Sequence, residues 1–455
     1  MNVKKVTALI TSFLELTHSV AKEESEKLAK NTGAYSRTKS EKISLEDFIM
    51  ASVLRCGVTL SDLALNYFGP GTLRPSASAF SQAKRKTPLY IAENLFHKTN
   101  KLYKMNLTYK GYRVILVDGS NEPISPNKNE KEYLITKKNA DKIIRAGIHV
   151  NAIYDALNRK FLKVIFQDQK SKDERKATKA ILEWVHENYP NEKFLFIMDR
   201  GYFSYSLCLL CEEYGYKYLI RMKERDYEAL ALKSIECVDD QEIDRTLTWH
   251  LRKEERDDPQ MKFLARKAMK EIDPLADFIK FSARLVCLEI ATGSYEGLIT
   301  NLNPNDFPSG VVKIIYHLRW GIETSFSWLK YGIGAKRILS NKAEYIKQEI
   351  LYSLVFYNLC TEIDSLAVED EKSYIKTGKE KRTRYEYQTN FTKAIRAIRK
   401  LLTPQWRSNR TRKPITTWQV ANLIEEICRE KLPVRNGRTF PRNMHPNRVI
   451  PFQYR

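Results

Sequence analysis

The chain predicts an α/β protein with a mixed sheet, and three observations carry that prediction. Two short runs, Val114–Val117 and Phe194–Met198, are apolar at every position, as strands buried on both faces require. Around them, strand-like segments alternate with segments of helical periodicity, the order of a layered α/β core. The length of 455 residues, with 43% hydrophobic and 11% aromatic residues, supports a packed core and several domains and argues against disorder.

Residues 1–105 read as a helical N-terminal domain. Amphipathic segments run near Lys4–Leu16, Ser44–Cys56, Thr59–Phe68, Ser76–Lys84 and Leu89–Tyr103, punctuated by Gly57 and the turn Gly69-Pro70-Gly71. Two helices about Gly57, followed by a segment from Ser76 to Lys86 rich in Ser, Gln and basic residues, suit a helix-turn-helix reader of DNA. A plain helical bundle is the alternative.

The core begins in residues 106–226. Strands are expected at Arg113–Asp118, Gly147–Tyr154, Lys160–Phe166, Lys193–Met198 and Tyr216–Lys223, with helices at Lys172–Tyr189 and Ser204–Tyr214. Residues 227–305 change composition and read as a β-rich insertion, with strands at Phe278–Ile290 and Tyr295–Leu302. Residues 306–365 return to the core through one long helix, Val311–Tyr331.

Charge narrows the partner. The 77 Lys and Arg against 55 Asp and Glu leave +22, which favours a polyanion over a small neutral or acidic substrate. Residues 370–455 hold 21 Lys and Arg against 7 Asp and Glu, so +14 of the +22 lies there. The basic C-terminal region, residues 366–455, is therefore expected to contact DNA or to dimerise. Aromatics and prolines interleave with its charge at Pro404–Arg407 and Arg442–Pro446, as in an arm along a phosphate backbone.

Seven scattered cysteines do not make a disulfide framework, and the lone pair Cys208 and Cys211 reads as helix packing. The N-terminus does not read as a secretion signal and no stretch has membrane-spanning length, so a cytoplasmic protein is expected.

The candidate chemistry lies in three carboxylates. Each buried run ends in an aspartate, Asp118 and Asp199, and a carboxylate there is costly without a positive partner. On the long helix Tyr316, Arg319, Glu323 and Lys330 fall within an arc of roughly 60° at the helical repeat. The apolar stripe Ile315, Leu318, Ile322, Phe326 and Leu329 lies alongside that arc and carries Glu323 to the edge of the core; His317 points elsewhere. Two strand ends and one helix can thus hold two Mg²⁺ ions about 3.5–4 Å apart, activating a nucleophile on one side and stabilising a leaving oxygen on the other. Asp118 would bridge both ions, Asp199 hold one and Glu323 the other. Arg319 and Lys330 would meet phosphate oxygens, and Tyr316 would donate a hydrogen bond to the DNA backbone.

The motif Tyr316-x2-Arg319-x3-Glu323-x6-Lys330 resembles the signature of the insertion-sequence transposases of family four. Val117-Asp118-Gly119-Ser120 and Met198-Asp199-Arg200-Gly201-Tyr202 look like that family's two aspartate motifs. The resemblance implies a ribonuclease-H-like core, a β-rich insertion before the catalytic helix, and Asp118, Asp199 and Glu323 as catalytic metal ligands. It also implies two Mg²⁺ or Mn²⁺ ions and cut-and-paste movement of an insertion sequence. Its partners would be double-stranded DNA, as terminal inverted repeats and as target, and a second copy in a synaptic homodimer at the prokaryotic nucleoid. In relatives a tryptophan of the insertion can stack on a flipped base; Trp249 is the candidate here, with core packing as its other reading. A catalytically silent DNA-binding protein and a stand-alone two-metal nuclease are the alternative functions.

Overall fold

The structure, a computed structural model, describes residues 2–36, 43–71, 74–137, 140–232, 244–254, 262–273, 275, 277–291, 294–338, 340–375, 386–404 and 413–434. Five helices come first: α1 (Val3–Thr32), α2 (Leu45–Leu54), α3 (Leu60–Phe68), α4 (Ala77–Lys86) and α5 (Leu89–Asn100). Their starts follow local chemistry. The side chains of Ser44, Thr59 and Ser76 accept from the backbone N–H three residues on, satisfying donors that the first helical turn leaves free. On α4, Ser78, Gln82 and Arg85 are exposed on one face, whereas Lys84 turns inward to Glu349 and Ser340.

The central elements are β1 (Arg113–Ile124), β2 (Leu134–Lys137), β3 (Ala140–Asp155), β4 (Lys160–Gln167), α6 (Glu174–Asn188), β5 (Phe194–Met198), α7 (Tyr205–Glu213) and β6 (Lys217–Arg221). After these come α8 (Glu224–Leu232), β7 (Asp244–Arg252), α9 (Lys262–Glu271), β8 (Phe278–Ala291) and β9 (Ser294–Thr300). Among the described residues, nine strands form one sheet in the order β2-β3-β1-β5-β6-β9-β8-β7, with β4 also on β3. β1, β5 and β6 run parallel, and β3, β4 and β9 are antiparallel to their neighbours. This is the mixed sheet of a ribonuclease-H-like core. The strands expected within residues 227–305 do not stand apart from it, because β9 pairs with β6 through Leu219 and Thr300.

The two apolar runs lie side by side at the centre of the sheet, as their composition demands. Val114 and Leu116 of β1, with Leu195 and Ile197 of β5, face one core; Ile115, Val117, Phe194, Phe196 and Met198 face the other. The first core is roofed by the C-terminal helices and the second by α6, α7 and the insertion. Cys208 and Cys211 are buried, free thiols in the second.

The single long helix expected over Val311–Tyr331 is instead broken. α10 (Ser309–His317) and α11 (Trp320–Ser327) are joined by a tightened turn at Leu318 and Arg319, and Trp328–Ile333 continues as a π-helical segment. At the break Leu318, Arg319, Gly321 and Ile322 bond back three residues instead of four. The wider π turn then ends at Gly334, in the left-handed conformation. The tightened turn lets Gly321 approach the sheet, where a Cβ would stand 3.3 Å from Leu116.

α12 (Ala343–Ile375) is a buried helix that crosses α2, α5 and β4. Beyond it, β10 (Glu386–Thr389) pairs with β11 (Lys431–Val434), and α13 (Phe391–Leu402) and α14 (Thr417–Arg429) lie between them. Part of the basic C-terminal region is therefore folded and not an extended arm: Phe391, Ala394, Ile395, Ile398 and Leu402 bury one face of α13. The stretches 405–407 and 442–446 lie outside the described residues. Among the described residues no helix is long and apolar enough to cross a membrane.

Candidate active site

Asp118 and Asp199 lie side by side on the two central parallel strands, but only Asp199 follows a strand end: β1 does not stop at Asp118 as expected and continues, paired with β3, to Ile124. Val117 of β1 is in register with Met198 of β5, so the next residue on each strand is an aspartate. Strand alternation sends Asp118 to the face of Val114 and Leu116, the side covered by α11, and carries Asp199 the same way. Glu323 is on α11, whose buried Ile322 and Phe326 fix the helix on that face.

The electrostatics agree with one shared neighbourhood. Burial pushes the Asp118 carboxyl up to about 6; the Gly119 N–H, which donates to Asp118 Oδ1 at 2.8 Å, opposes this, and Glu323 and Asp199 add to it while Arg319 counters them. Asp199 Oδ1 is buried and has no hydrogen-bond partner among the described residues. Burial also raises the Tyr316 hydroxyl well above its ordinary value, with Arg319 opposing and the nearby Asp199 contributing. Its oxygen is likewise unpartnered among the described residues.

Arg319 and Lys330 do not project into solvent. Arg319 is 6% exposed, and its Nη1 donates to Glu323 Oε1 at 2.7 Å. Its guanidinium lies 4.8 Å from the Trp320 ring centroid. Lys330 Nζ is 2.9 Å from Ser120 Oγ and 2.9 Å from Glu122 Oε1. The result is a polar seam between β1 and the broken helix, with Asp118, Ser120 and Glu122 on one strand face and Arg319, Glu323 and Lys330 opposite. His317 is exposed, outside this seam.

Trp249 lies elsewhere. It is 1% exposed, stacks on Phe281 and donates Nε1–H to Leu230 O at 2.8 Å. Both faces and its donor are used in the core, so in this conformation it offers nothing to a nucleobase.

Four residues to which no sequence motif points, Glu122, His149, Glu174 and Arg175, line or brace the site. Glu122 follows Asp118 at the two-residue period of a strand, a signal the sequence did carry. On the opposite face of the sheet, His149 is buried behind Gly119, with Nδ1 2.8 Å from Asn121 Oδ1 and Nε2 3.2 Å from Glu174 Oε1. A Cβ at Gly119 would stand 2.6 Å from His149 Nε2, so this position needs glycine for space. The His149 contact, with Lys172 beyond it, holds Glu174 below the usual carboxylate range against the effect of burial. Arg175 Nε donates to Gly201 O at 3.1 Å and braces the turn that follows Asp199. No local sequence pattern links His149 to Glu174; only the packing of α6 against β3 brings them together.

The residues present suit a hard dication. Their donors are carboxylate oxygens, and one of them is buried without a partner. Among the described residues no three potential ligands are drawn close enough to hold an ion as they stand. Glu323 is engaged by Arg319 instead.

One consequence is testable without catalysis. In metal-free protein the folded state favours protonated Asp118, whose pKa of about 6 exceeds the ordinary 3.8. The site therefore costs stability as pH rises from about 4 through 6, and that cost is fully present at pH 7, on the order of 3 kcal/mol. Asp118→Asn is expected to melt above the wild type in EDTA at pH 7–8 and to converge with it in acid. Identical melting of the two proteins across that range in calorimetry would show the carboxylate to be unstrained.

No curated protein sequence matches the chain. Among solved structures, a piggyBac transposase synaptic complex with hairpin DNA, determined by cryo-electron microscopy, is similar in fold, with a TM-score of 0.50 and 12% identity over 94% of this chain and 84% of that chain. The model of the transposase DDE domain matches residues 109–359, which is more than half of the chain and includes Asp118, Asp199 and Glu323. The chain belongs to the transposase DDE domain family.

Proposed function

We propose that this protein is a DNA transposase of the insertion-sequence family four kind, which cuts DNA at the ends of its element and joins the freed ends to a target. The observation that carries the reading is the placement of Asp118, midway along β1, beside Asp199, directly after the parallel strand β5, on the face roofed by the helix bearing Glu323. These three carboxylates are the ligands we assign to two divalent ions, Mg²⁺ or Mn²⁺. When bound, the ions would supply the activated water or 3′-hydroxyl and stabilise the departing oxygen.

The chain's own residues then divide the remaining work. Asp118, central in the seam, would be the ligand shared by the ions, with Asp199 and Glu323 as the other two carboxylates that would hold them. For Glu323 to join them its carboxylate must leave Arg319, and a DNA phosphate is the anion suited to replace it on the guanidinium. Tyr316, kept protonated by burial, serves as a hydrogen-bond donor beside Asp199. Lys330 takes a flanking phosphate. Burial of Tyr316 and Arg319 means that DNA meets them only at the mouth of the seam, where the reacting phosphodiester sits.

The remaining assignments follow charge and exposure. Residues 1–105 read the terminal repeat, with Ser78, Gln82 and Arg85 of α4 as the exposed row. Residues 106–226 and 306–365 make the catalytic core, with residues 227–305 inserted into it. The region 366–455 contacts DNA or pairs two copies in a synaptic homodimer at the prokaryotic nucleoid. The similar piggyBac structure is a synaptic complex with hairpin DNA, and a transposon end is the substrate class we assign here. The deciding experiment incubates the purified protein, in Mg²⁺, with duplexes carrying the inverted repeats that flank its gene. Nicking at the repeat boundary followed by strand joining is expected. Cleavage without joining would identify a stand-alone nuclease, and binding without cleavage a silent relative.

A further inference from the structure

The signature lysine is already occupied. Lys330 Nζ, on the π segment, meets Glu122 Oε1 at 2.9 Å and Ser120 Oγ at 2.9 Å, and Ser120 Oγ donates to the same Glu122 oxygen at 2.7 Å. The two charged side chains are 26% and 12% exposed, so the pair is partly withdrawn from water, where each charge gains more from the other than a surface pair would. Glu122 thus presents to Lys330 an anionic oxygen at the distance a phosphate oxygen would take. One step along the same seam, Glu323 stands on Arg319 in the same manner, at 2.7 Å.

We propose that Glu122 is an internal stand-in for a DNA phosphate: it holds Lys330 in the protein alone and must be displaced when the phosphodiester backbone enters the site. This rests on the functional reading above and adds a residue that opposes DNA binding. The pairing has a thermodynamic consequence. A phosphate that reaches Lys330 replaces a carboxylate and not a free counterion, so part of its attraction offsets the lost pair and less salt dependence appears. Glu122 therefore sets a threshold that weak, non-specific DNA contacts must exceed.

The opposite role is a structural clamp, in which Glu122 orients Lys330 for DNA. The two differ in the sign of a mutational effect. If Glu122 competes with phosphate, Glu122→Gln, which keeps shape and the hydroxyl partner, increases affinity. If Glu122 orients Lys330, the same change weakens binding.

The test measures binding of the full-length protein, in EDTA so that no cleavage occurs, to a fluorescent mixed-sequence duplex over a range of salt. Glu122→Gln is expected to tighten binding roughly two- to fivefold at low salt, the scale of one partly exposed ion pair, and to steepen the salt slope by up to about one. The gain should disappear in a Lys330→Met background. Unchanged or weaker binding by a Glu122→Gln protein with a wild-type melting curve overturns the proposal, as does a gain that survives Lys330→Met. If Glu122→Gln does not fold, Glu122→Asp, one methylene shorter, should shift affinity in the same direction by less; no shift, or a loss, overturns it equally. Failure of the wild-type protein to bind the duplex at all would instead remove the transposase reading, and this proposal with it.

Discussion

Asp118→Asn, Asp199→Asn and Glu323→Gln are each expected to lower the rate of DNA-end cleavage by on the order of a thousandfold or more while leaving DNA binding in place. Each replaces an anionic oxygen ligand by a neutral amide of nearly the same volume. An amide binds a hard dication weakly, so loss of one ligand removes a large share of the stabilisation that attacking and leaving oxygens receive. A thousandfold corresponds to about 4 kcal/mol of barrier. The three variants should differ in binding. Asp118→Asn relieves a buried carboxylate pushed up to about 6 by burial and by its carboxylate neighbours, so it should fold at least as well as the wild type in EDTA. Glu323→Gln also loosens Arg319, which gives up its 2.7 Å ion pair and becomes available to phosphate. Its DNA affinity should therefore rise, a separation of binding from cleavage within one substitution. The measurements are nicking of repeat-end duplex in Mg²⁺ beside a gel-shift of the same duplex. A folded Glu323→Gln protein that nicks at the wild-type rate would remove Glu323 from the site and require another third ligand.

How much of this arrangement the sequence discloses depends on the reach of each signal. The apolar runs ending at Asp118 and Asp199 are legible because a strand buried on both faces leaves no polar position, and β1 and β5 are the two central strands. The break between α10 and α11 is not legible: His317-Leu-Arg-Trp-Gly-Ile-Glu323 contains no proline, and the tightening at Arg319 depends on how closely Gly321 can approach Leu116. The arc expected for one straight helix puts Arg319, Glu323 and Lys330 on one side, but it does not disclose that Arg319 turns to Glu323 and Lys330 to Ser120 and Glu122 of β1. α12 escapes detection for another reason. Ile350, Leu351, Leu354, Val355, Phe356 and Leu359 are buried around much of its circumference, so no polar stripe marks a helical period. α13 has a sharp apolar stripe, yet its Lys393, Arg396, Arg399 and Lys400 drew attention to charge before periodicity. Trp249, for which the sequence leaves base stacking and core packing both open, is buried in the core. Its burial depends on β7 pairing with β8, a contact no local pattern announces.

Gly334→Ala is the other substitution expected to act strongly, and it probes how the N-terminal helices are joined to the helical segment that carries Glu323 and Lys330. Gly334 ends the π segment that carries Lys330 and has φ +95°, a conformation that costs a residue with a side chain about 1–3 kcal/mol. A Cβ there would also stand 2.7 Å from Cys56 C and 3.0 Å from Gly57 N, while a Cβ on Gly57, at φ +64°, would stand 2.6 Å from Gly334 O. Backbone meets backbone, so no side chain can swing aside to make room. Around this point Arg55 Nη2 donates to Arg337 O at 2.6 Å, and Arg55 and Lys84 both pair with Glu349 of α12. The turn after the segment that carries Glu323 and Lys330 is thus gripped by the turn between α2 and α3. Strain and clash together should cost roughly 3 kcal/mol or more, visible as a lower denaturation midpoint. Gly57→Ala should cost a similar amount, and because both substitutions break one contact, the double variant should lose clearly less than the two losses combined. Gly215→Ala supplies the control: φ is +71° but nothing lies within 4 Å of its Cβ, so only the conformational cost of about 1 kcal/mol applies. Should Gly334→Ala be no more destabilising than Gly215→Ala, the two turns are not packed on each other. With the contact intact, any Gly334→Ala protein that still folds should also cleave more slowly, since a shift of this turn moves Lys330 along the strand that bears Asp118.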